Sequence, residues 1–395
     1  MTFDERIKEH LVRSLLPAWR TRGVDPVSGG FHERLDLRLE PVALPYRRLL
    51  TQCRQVFTFA EGAALGDLPW AADIARRGFE HLCQHYRVSA RGGWKFALGH
   101  RGPLPSETRQ LYAHAFVLLA CWSQFRSCGD EHALVLARET VSFLNERFRA
   151  PDQGFVTALD EDMRDTGALR QQNPHMHLFE ACLFLFEETR EEVFGEVANA
   201  VLGPFLKAFI DRETFTLVEH FDEDWSPNAE LGSVREPGHH FEWVWLIHRW
   251  LRLAREREFP TRADQLEEVA DRFLAWALAR GTDREFGGVF DEVGPEGKVL
   301  KETKRIWPVC EAVKALRFAS AVRGGLADLD REAEALGCLF WDHYLHATDG
   351  TWAEVLDRDL TPRTNYLPST TLYHIVMMIR ELEWLRSGSQ TRWVC

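Results

Sequence analysis

The chain lacks the features that mark membrane, nucleic-acid and disulfide-framed proteins. No stretch reaches the roughly 18 unbroken apolar residues of a membrane span. No Lys/Arg cluster offsets a formal net charge of −12, from 48 basic and 60 acidic residues. A surface of that sign repels phosphate backbones, which excludes nucleic acid as an expected partner. The eight cysteines include no CxxC pair, and most sit in apolar runs, where cysteine behaves as a small hydrophobe. That usage fits a reducing compartment. The opening residues, MTFDERIKEHLVRSLL, lack the basic-then-apolar layout of a secretion signal. Thr2 and Glu5 have instead the spacing of a capping box. A cytoplasmic protein without a membrane segment is the expectation. No Pro/Ser-rich linker, low-complexity tract or charge block cuts the chain, so one domain over residues 1–395 is expected. With 45% hydrophobic and 12% aromatic residues it can bury a sizeable core.

What is present is a repeat. Six short turns recur: SGGFHERLD (Ser28–Asp36), RGGWKFAL (Arg91–Leu98), DQGFVTAL (Asp152–Leu159), FTLVEHFDEDW (Phe215–Trp225), FGGVFDEV (Phe286–Val293) and DGTWAEVLD (Asp349–Asp357). Aligning Gly30, Gly93, Gly154, Thr216, Gly288 and Gly350 gives steps of 63, 61, 62, 72 and 62 residues. A fixed period is the mark of a repeated supersecondary unit. This one has room for a helix, a hairpin-like turn and a second helix.

The helices on either side of each turn differ. Those before are amphipathic: Ala71, Ile74, Ala75, Leu82 and Tyr86 recur at helical spacing, as do Leu266, Val269, Ala270, Phe273 and Leu274. Those after are apolar nearly all round, as in LYAHAFVLLACW (Leu111–Trp122) and LYHIVMMI (Leu372–Ile379). A helix that is apolar on every face is buried on every face. Six half-exposed and six buried helices predict an all-α chain folded as an (α/α)6 barrel, a six-hairpin toroid with short β-hairpin loops at one end. Pro174, Pro237, Pro308 and Pro368 fall where inner helices are expected to begin, and Asn173 reads as an N-cap.

The inner helices also carry polar residues that a plain core does not need: Gln52, Arg54, Arg109, His114, Asn173, His175, His177, Glu180, His239, His240, Glu242, Lys304, Trp307, Glu311 and His374. Burying such groups is costly unless they are paired. Drawn from six repeats to one end of one ring, they converge on a cavity. Of the adjacent histidines, His177 is preferred over His175 because Glu180 shares its face at i+3, and His239 over His240 because Glu242 does the same. A lone buried histidine such as His114 more often serves the core than a ligand, yet its position keeps it among the candidates. His177, Glu180, His239 and Glu242 are types that suit zinc or manganese. No HExxH or comparable ligand spacing is present, so neither metal nor cofactor is expected.

Five segments carry a resemblance: TQCRQVFTFA (Thr51–Ala60), NPHMHLFEA (Asn173–Ala181), PGHHFEWVWL (Pro237–Leu246), KRIWPVCEA (Lys304–Ala312) and the pair Tyr373–His374. Together they resemble the N-acylglucosamine 2-epimerase superfamily, which contains sugar 2-epimerases and mannose-type aldose–ketose isomerases on an (α/α)6 barrel. The resemblance implies that His239 and His374 are the acid/base pair. It implies further that Arg54, Asn173, His177, Glu242 and Trp307 surround the sugar. Histidine stands at His175 where several isomerases have a second asparagine.

The chemistry this implies is proton transfer next to a carbonyl, for which histidine suits both steps. One of His239 and His374 is expected to open the ring and the other to remove the C2 proton. Arg54 is expected to stabilise the oxyanion, with Glu242 orienting His239. Return of the proton to C1 gives a ketose; return to C2 from the other face gives the epimer. The NPHMHLFEA match favours isomerisation of an unphosphorylated hexose such as mannose, with a 2-epimerase as the alternative. More distant alternatives are an (α/α)6 glycoside hydrolase, which needs two carboxylates across a bond, and a non-catalytic binder. Glu180, Glu311 and His114 complete the expected sugar contacts. The expected partner is a small sugar, with a homodimer left open.

Overall fold

Thr2 opens the first helix as its spacing predicts. Its Oγ1 accepts from the Glu5 N–H at 3.3 Å, and the Glu5 carboxylate accepts from the Thr2 N–H at 3.0 Å. The computed structural model describes residues 2–88, 91–99, 108–151, 153–345 and 349–387. Asp152, the first residue of the third turn, and Cys395 lie outside them.

Outer and inner helices alternate from that point. The first outer unit is α1 (Phe3–His10) and α2 (Leu16–Arg22), joined by a π-helical turn; the first inner helix is α3 (Leu49–Gly66). Then come outer α4 (Pro69–His85), inner α5 (Leu111–Cys128), outer α6 (Glu131–Arg147) and inner α7 (Gln172–Thr189). The series ends with outer α8 (Glu192–Pro204), inner α9 (Pro237–Glu256), outer α10 (Ala263–Trp276), inner α11 (Ile306–Val322), outer α12 (Ala327–Leu339) and inner α13 (Leu372–Arg386). Each inner helix packs on the next, and α13 packs on α3, so the inner ring closes. This is the (α/α)6 barrel that the alternation predicts. Burial follows the pattern too: in α9 every residue from Pro237 to Ala254 is buried, whereas α10 buries one stripe.

Short strands stitch the mouth. They are β1 (Arg34–Leu35), β2 (Tyr46–Arg48), β3 (Ala97–Gly99), β4 (Arg109–Gln110), β5 (Ala158–Leu159), β6 (Arg170–Gln171), β7 (His220–Phe221), β8 (Glu292–Val293), β9 (Val299–Lys301), β10 (Lys304–Arg305), β11 (Val355–Leu356) and β12 (Leu367–Pro368). The strand before an inner helix pairs antiparallel with a strand of the next repeat: β2 with β3, β4 with β5, β6 with β7, and β10 with β11. A single bridge, Arg235 to Val293, does this for α9, and β12 pairs with β1 to complete the circle.

Each turn is closed by one bridge: Val24–Phe31, Arg87–Trp94, Arg149–Phe155, Ile210–Leu217, Thr282–Val289 and Leu345–Trp352. The sixth bridge corrects the alignment of the turns. The residue matching Gly30 and Gly93 is Thr351, while Gly350 matches Gly29, Gly92 and Gly287, all with φ between +75° and +81°. Gly93 is glycine for two reasons, a φ of +71° and a Cβ that would stand 2.5 Å from Phe143.

Several of the buried polar residues serve these turns. The fourth residue of four inner helices accepts a turn N–H: Gln52 from Phe31 at 2.8 Å, His114 from Trp94 at 3.1 Å, His175 from Phe155 at 3.0 Å and His240 from Leu217 at 2.9 Å. Cations two residues ahead of the inner helices hold the turns from below. Arg47 meets Asp25 at 2.6 Å, Arg235 meets Asp211 at 3.0 Å, Lys304 meets Asp283 at 2.9 Å, and Arg109 donates to the Gly92 carbonyl at 3.3 Å. In the sixth repeat that place belongs to Thr370.

Two expectations about helix starts change. Pro237 is the first residue of α9, but Pro174 and Pro308 are third in theirs and Pro368 lies in β12. The residue at the cap position of α7 is Gln171, which leaves Asn173 inside the first turn on the cavity wall. At the far end a buried ion network joins α3, α5, α7, α9 and α13. Glu61 accepts from Arg126 at 2.6 Å and from Arg380 at 3.0 Å; Arg249 holds Glu381 at 2.8 Å and also pairs with Glu187. No helix among the described residues is long and apolar enough to cross a membrane.

Candidate active site

Helical geometry decides which inner-helix residues face the barrel axis: positions four and three apart share a face. In α7 these are Asn173, His177 and Glu180; in α9, Gly238, Glu242 and Trp245; in α11, Trp307, Glu311 and Lys314. Arg54 of α3 and Phe116 of α5 stand level with His177. His239 and His374 are both third in their helices, one step around from that face.

The result is a cavity of about 250 Å³ at the mouth. Its wall includes Arg54, Asn173, His177, His239, Glu242, Trp307 and His374. Histidines from repeats four and six therefore do meet across one space. Tyr112, Glu236, Arg305, Glu354, Thr370 and Thr371 also line it, and the sequence patterns did not single them out.

Three expected sugar contacts sit elsewhere. His114 is bound at both ring nitrogens, by the Trp94 N–H and by the Gln110 carbonyl at 2.7 Å, and serves its turn. Glu180 and Glu311 lie one layer beneath the wall, fully buried, because the helix carries them away from the mouth. Glu180 accepts from His177 Nδ1 at 2.9 Å and from the Tyr373 hydroxyl at 2.5 Å. Glu311 accepts from His374 Nδ1 and from the Trp245 indole, each at 2.9 Å.

The expected support of His239 by Glu242 is also replaced. His239 Nδ1 lies 2.9 Å from Glu219, a turn residue, and Glu219 in turn accepts from Gln172 Nε2 at 2.7 Å. Glu242 instead lies 3.8 Å from His177 Nε2, and neither of its oxygens has a hydrogen-bond partner among the described residues. A recurring acid two places after four of the six turn bridges (Glu33, Glu219, Asp291, Glu354) is the signal the sequence offers.

The two wall histidines occupy opposite electrostatic settings. Burial disfavours the charged form of both. Around His239 the carboxylates of Glu219 and Glu236 outweigh burial and lift its pKa to about 9. Around His374 burial prevails, with Arg54 and Lys314 adding to it against Glu311, and its pKa falls to about 3. Glu311 stays ionised despite burial, because the Lys314 ammonium stands 2.7 Å away. At neutral pH His239 is thus an imidazolium and His374 a neutral imidazole. With Nδ1 held by Glu311, the basic atom of His374 is Nε2.

Trp307 lies between them, its ring 5.0 Å from His239 and 5.5 Å from His374. Gly238 makes that possible: a Cβ there would come within 2.5 Å of the Trp307 ring. Arg54 donates to the Thr370 carbonyl at 3.3 Å and to the Tyr112 hydroxyl at 3.0 Å, and no ion pair holds it among the described residues. Its buried Nε and the Asn173 Oδ1 are without partners there as well. These unspent polar atoms are what a polyhydroxylated ligand needs.

Three sets of imidazole and carboxylate atoms come within 4.8 Å of one another: His177, Glu180 and Glu242; Glu219, Glu236 and His239; and Glu242, Glu311 and His374. In each set an imidazole nitrogen is already bound to one of the carboxylates, and Lys314 neutralises Glu311.

Residues 29–378 match the family described as N-acylglucosamine 2-epimerase (GlcNAc 2-epimerase). The chain is 33% identical over 387 residues to a protein of Rhizobium meliloti (strain 1021) named mannose-6-phosphate isomerase, covering 93% of both chains. It is 24% identical to a cellobiose 2-epimerase of Bacteroides fragilis, covering 73% of this chain and 76% of that one. A crystal structure of a D-mannose isomerase superposes with a TM-score of 0.84 at 22% identity, covering 97% of each chain.

Proposed function

The chain belongs to the N-acylglucosamine 2-epimerase family, and from that membership we propose that it is an aldose–ketose isomerase acting on an unphosphorylated hexose of the mannose type. The observation that carries this reading is the pair of wall histidines, one charged and one neutral, flanking Trp307. His239 protonates the ring oxygen as the C1–O5 bond breaks and O1 passes its proton to water. His374, through Nε2, then takes the C2 proton. Arg54 supports the charge that develops on O1, and the sugar lies against Trp307. Return of the proton to C1 yields the ketose.

The wall bears on the phosphate question raised by the name of the Rhizobium protein. Arg305 is tied to Glu236 at 2.7 Å and Asp291 at 2.9 Å, and carboxyl groups of Glu236, Glu242 and Glu354 face the cavity. A dianionic phosphate is poorly served there. Free cysteines at Cys53, Cys83, Cys121, Cys128, Cys182, Cys310 and Cys338 support a cytoplasmic setting.

The test is incubation with mannose, fructose, glucose and mannose 6-phosphate in deuterated water, followed by NMR. Ketose from mannose with deuterium at C1 is expected. Deuterium at C2 of a recovered epimer, without ketose, would select the 2-epimerase reading instead. Turnover of mannose 6-phosphate alone would overturn the choice of an unphosphorylated substrate.

A further inference from the structure

The six-fold repeat supplies an internal comparison. The second residue after the turn bridge is acidic in four repeats: Glu33, Glu219, Asp291 and Glu354. Three of these have a basic partner at the start of an inner helix. Glu33 holds Arg48 at 2.8 Å, Glu219 holds His239 at 2.9 Å, and Asp291 holds Arg305 at 2.9 Å.

Glu354 has none. Its carboxyl accepts from the Thr371 hydroxyl at 2.8 Å and from the Trp352 indole at 2.8 Å, both neutral, and no ion pair reaches it among the described residues. The reason lies in the neighbouring histidine. In repeat four the turn acid takes the wall imidazole, but in repeat six that imidazole, His374, is taken by Glu311 of α11. Glu354 is left half-buried on the cavity wall beside Thr371, the residue preceding α13.

We infer that Glu354 is a further catalytic residue, a carboxyl that carries a proton between the two oxygens of the enediol. The inference rests on the isomerase reading above and explains a step the histidines leave open. When His374 removes the C2 proton, the C2–H electron pair forms the C1=C2 double bond and O1 becomes an oxyanion. Ketose formation then requires a proton on O1 and the loss of one from O2. The Glu354 carboxyl gives its proton to O1, and the resulting carboxylate recovers one from O2–H. Protonation of C1 by the His374 imidazolium then leaves C2=O2, with every proton accounted for. Burial raises the Glu354 pKa to about 7, against the Trp352 and Thr371 hydrogen bonds and the Arg305 charge and with the Asp291 charge, so both forms exist at neutral pH.

The experiment is Glu354→Gln with mannose in deuterated water, following C2 proton loss and fructose formation separately. Exchange at C2 is expected to stay within about twofold of the parent, while ketose formation falls roughly 100-fold, the scale of one proton-transfer group. Glu354→Asp, which keeps the acid on a shorter stem, is expected to recover part of the ketose rate and to carry the test if the Gln variant fails to fold. Unchanged ketose formation in either variant overturns the inference. So does an equal fall in exchange and ketose formation with a lowered melting temperature, which marks structural support. Absence of both C2 exchange and ketose in the parent enzyme would instead sink the isomerase reading itself.

Discussion

His239 and His374 carry the same side chain at the same helical position, and their surroundings alone separate their duties. Glu219 is the residue whose loss should show this most cleanly. With Glu219 replaced by Gln, burial wins at His239 and its pKa drops from about 9. A group raised in this way is charged below its pKa and loses its proton as pH rises through it. The alkaline limb of kcat/KM is therefore expected to move toward neutrality in Glu219→Gln, as a pH–rate profile will read. A limb that stays in place would remove Glu219 from this role. Gly238 invites a second substitution. Gly238→Ala pushes a methyl into the Trp307 ring, so KM for mannose is expected to rise about tenfold, with melting temperature as the control for a general loss of packing.

At the scale of the element, the turn and its inner helix form one unit held by a polar contact that recurs. His114 shows what that contact is worth. Replacing it with Leu orphans the buried Trp94 N–H, which should cost about 1–3 kcal/mol in urea denaturation and leave sugar KM unchanged. The same elements show what could be read from residues alone. Helices apolar on every side announced an inner ring, and i+3 spacing picked His177 over His175. Choosing between neighbours works when the deciding contact lies on the same helix. For His239 over His240 it picks the wall residue on the wrong partner, because Glu219, not Glu242, reaches His239 from a turn 20 residues earlier, across a register only the folded bridge defines. It also failed for Glu180 and Glu311, since polarity marks a residue as buried near a site without giving its depth. Glycine as the marker misaligns the sixth turn, whose bridge falls after Thr351.

At the scale of the whole molecule, the two ends of the barrel are built differently. The mouth keeps unspent polar atoms, and the floor spends nearly all of its charge internally. Arg249 pairs there with Glu381 and Glu187 while fully buried. Arg249→Met leaves a buried carboxylate without that partner, and the expected loss is roughly 3–5 kcal/mol of folding stability. Since the floor and the mouth lie at opposite ends of the inner helices, kcat at a permissive temperature should be preserved. A drop in kcat at intact stability would show that the floor tunes the site.

The junction of β1 with β12 sets a timetable for biosynthesis. Helix α3 is the first inner helix to leave the ribosome, and α13, one of its two flanking neighbours, is the last. Until residues 367–386 emerge, the nascent toroid stays an open crescent with one flank of α3 unclothed. That interval is when a chaperone has most to protect.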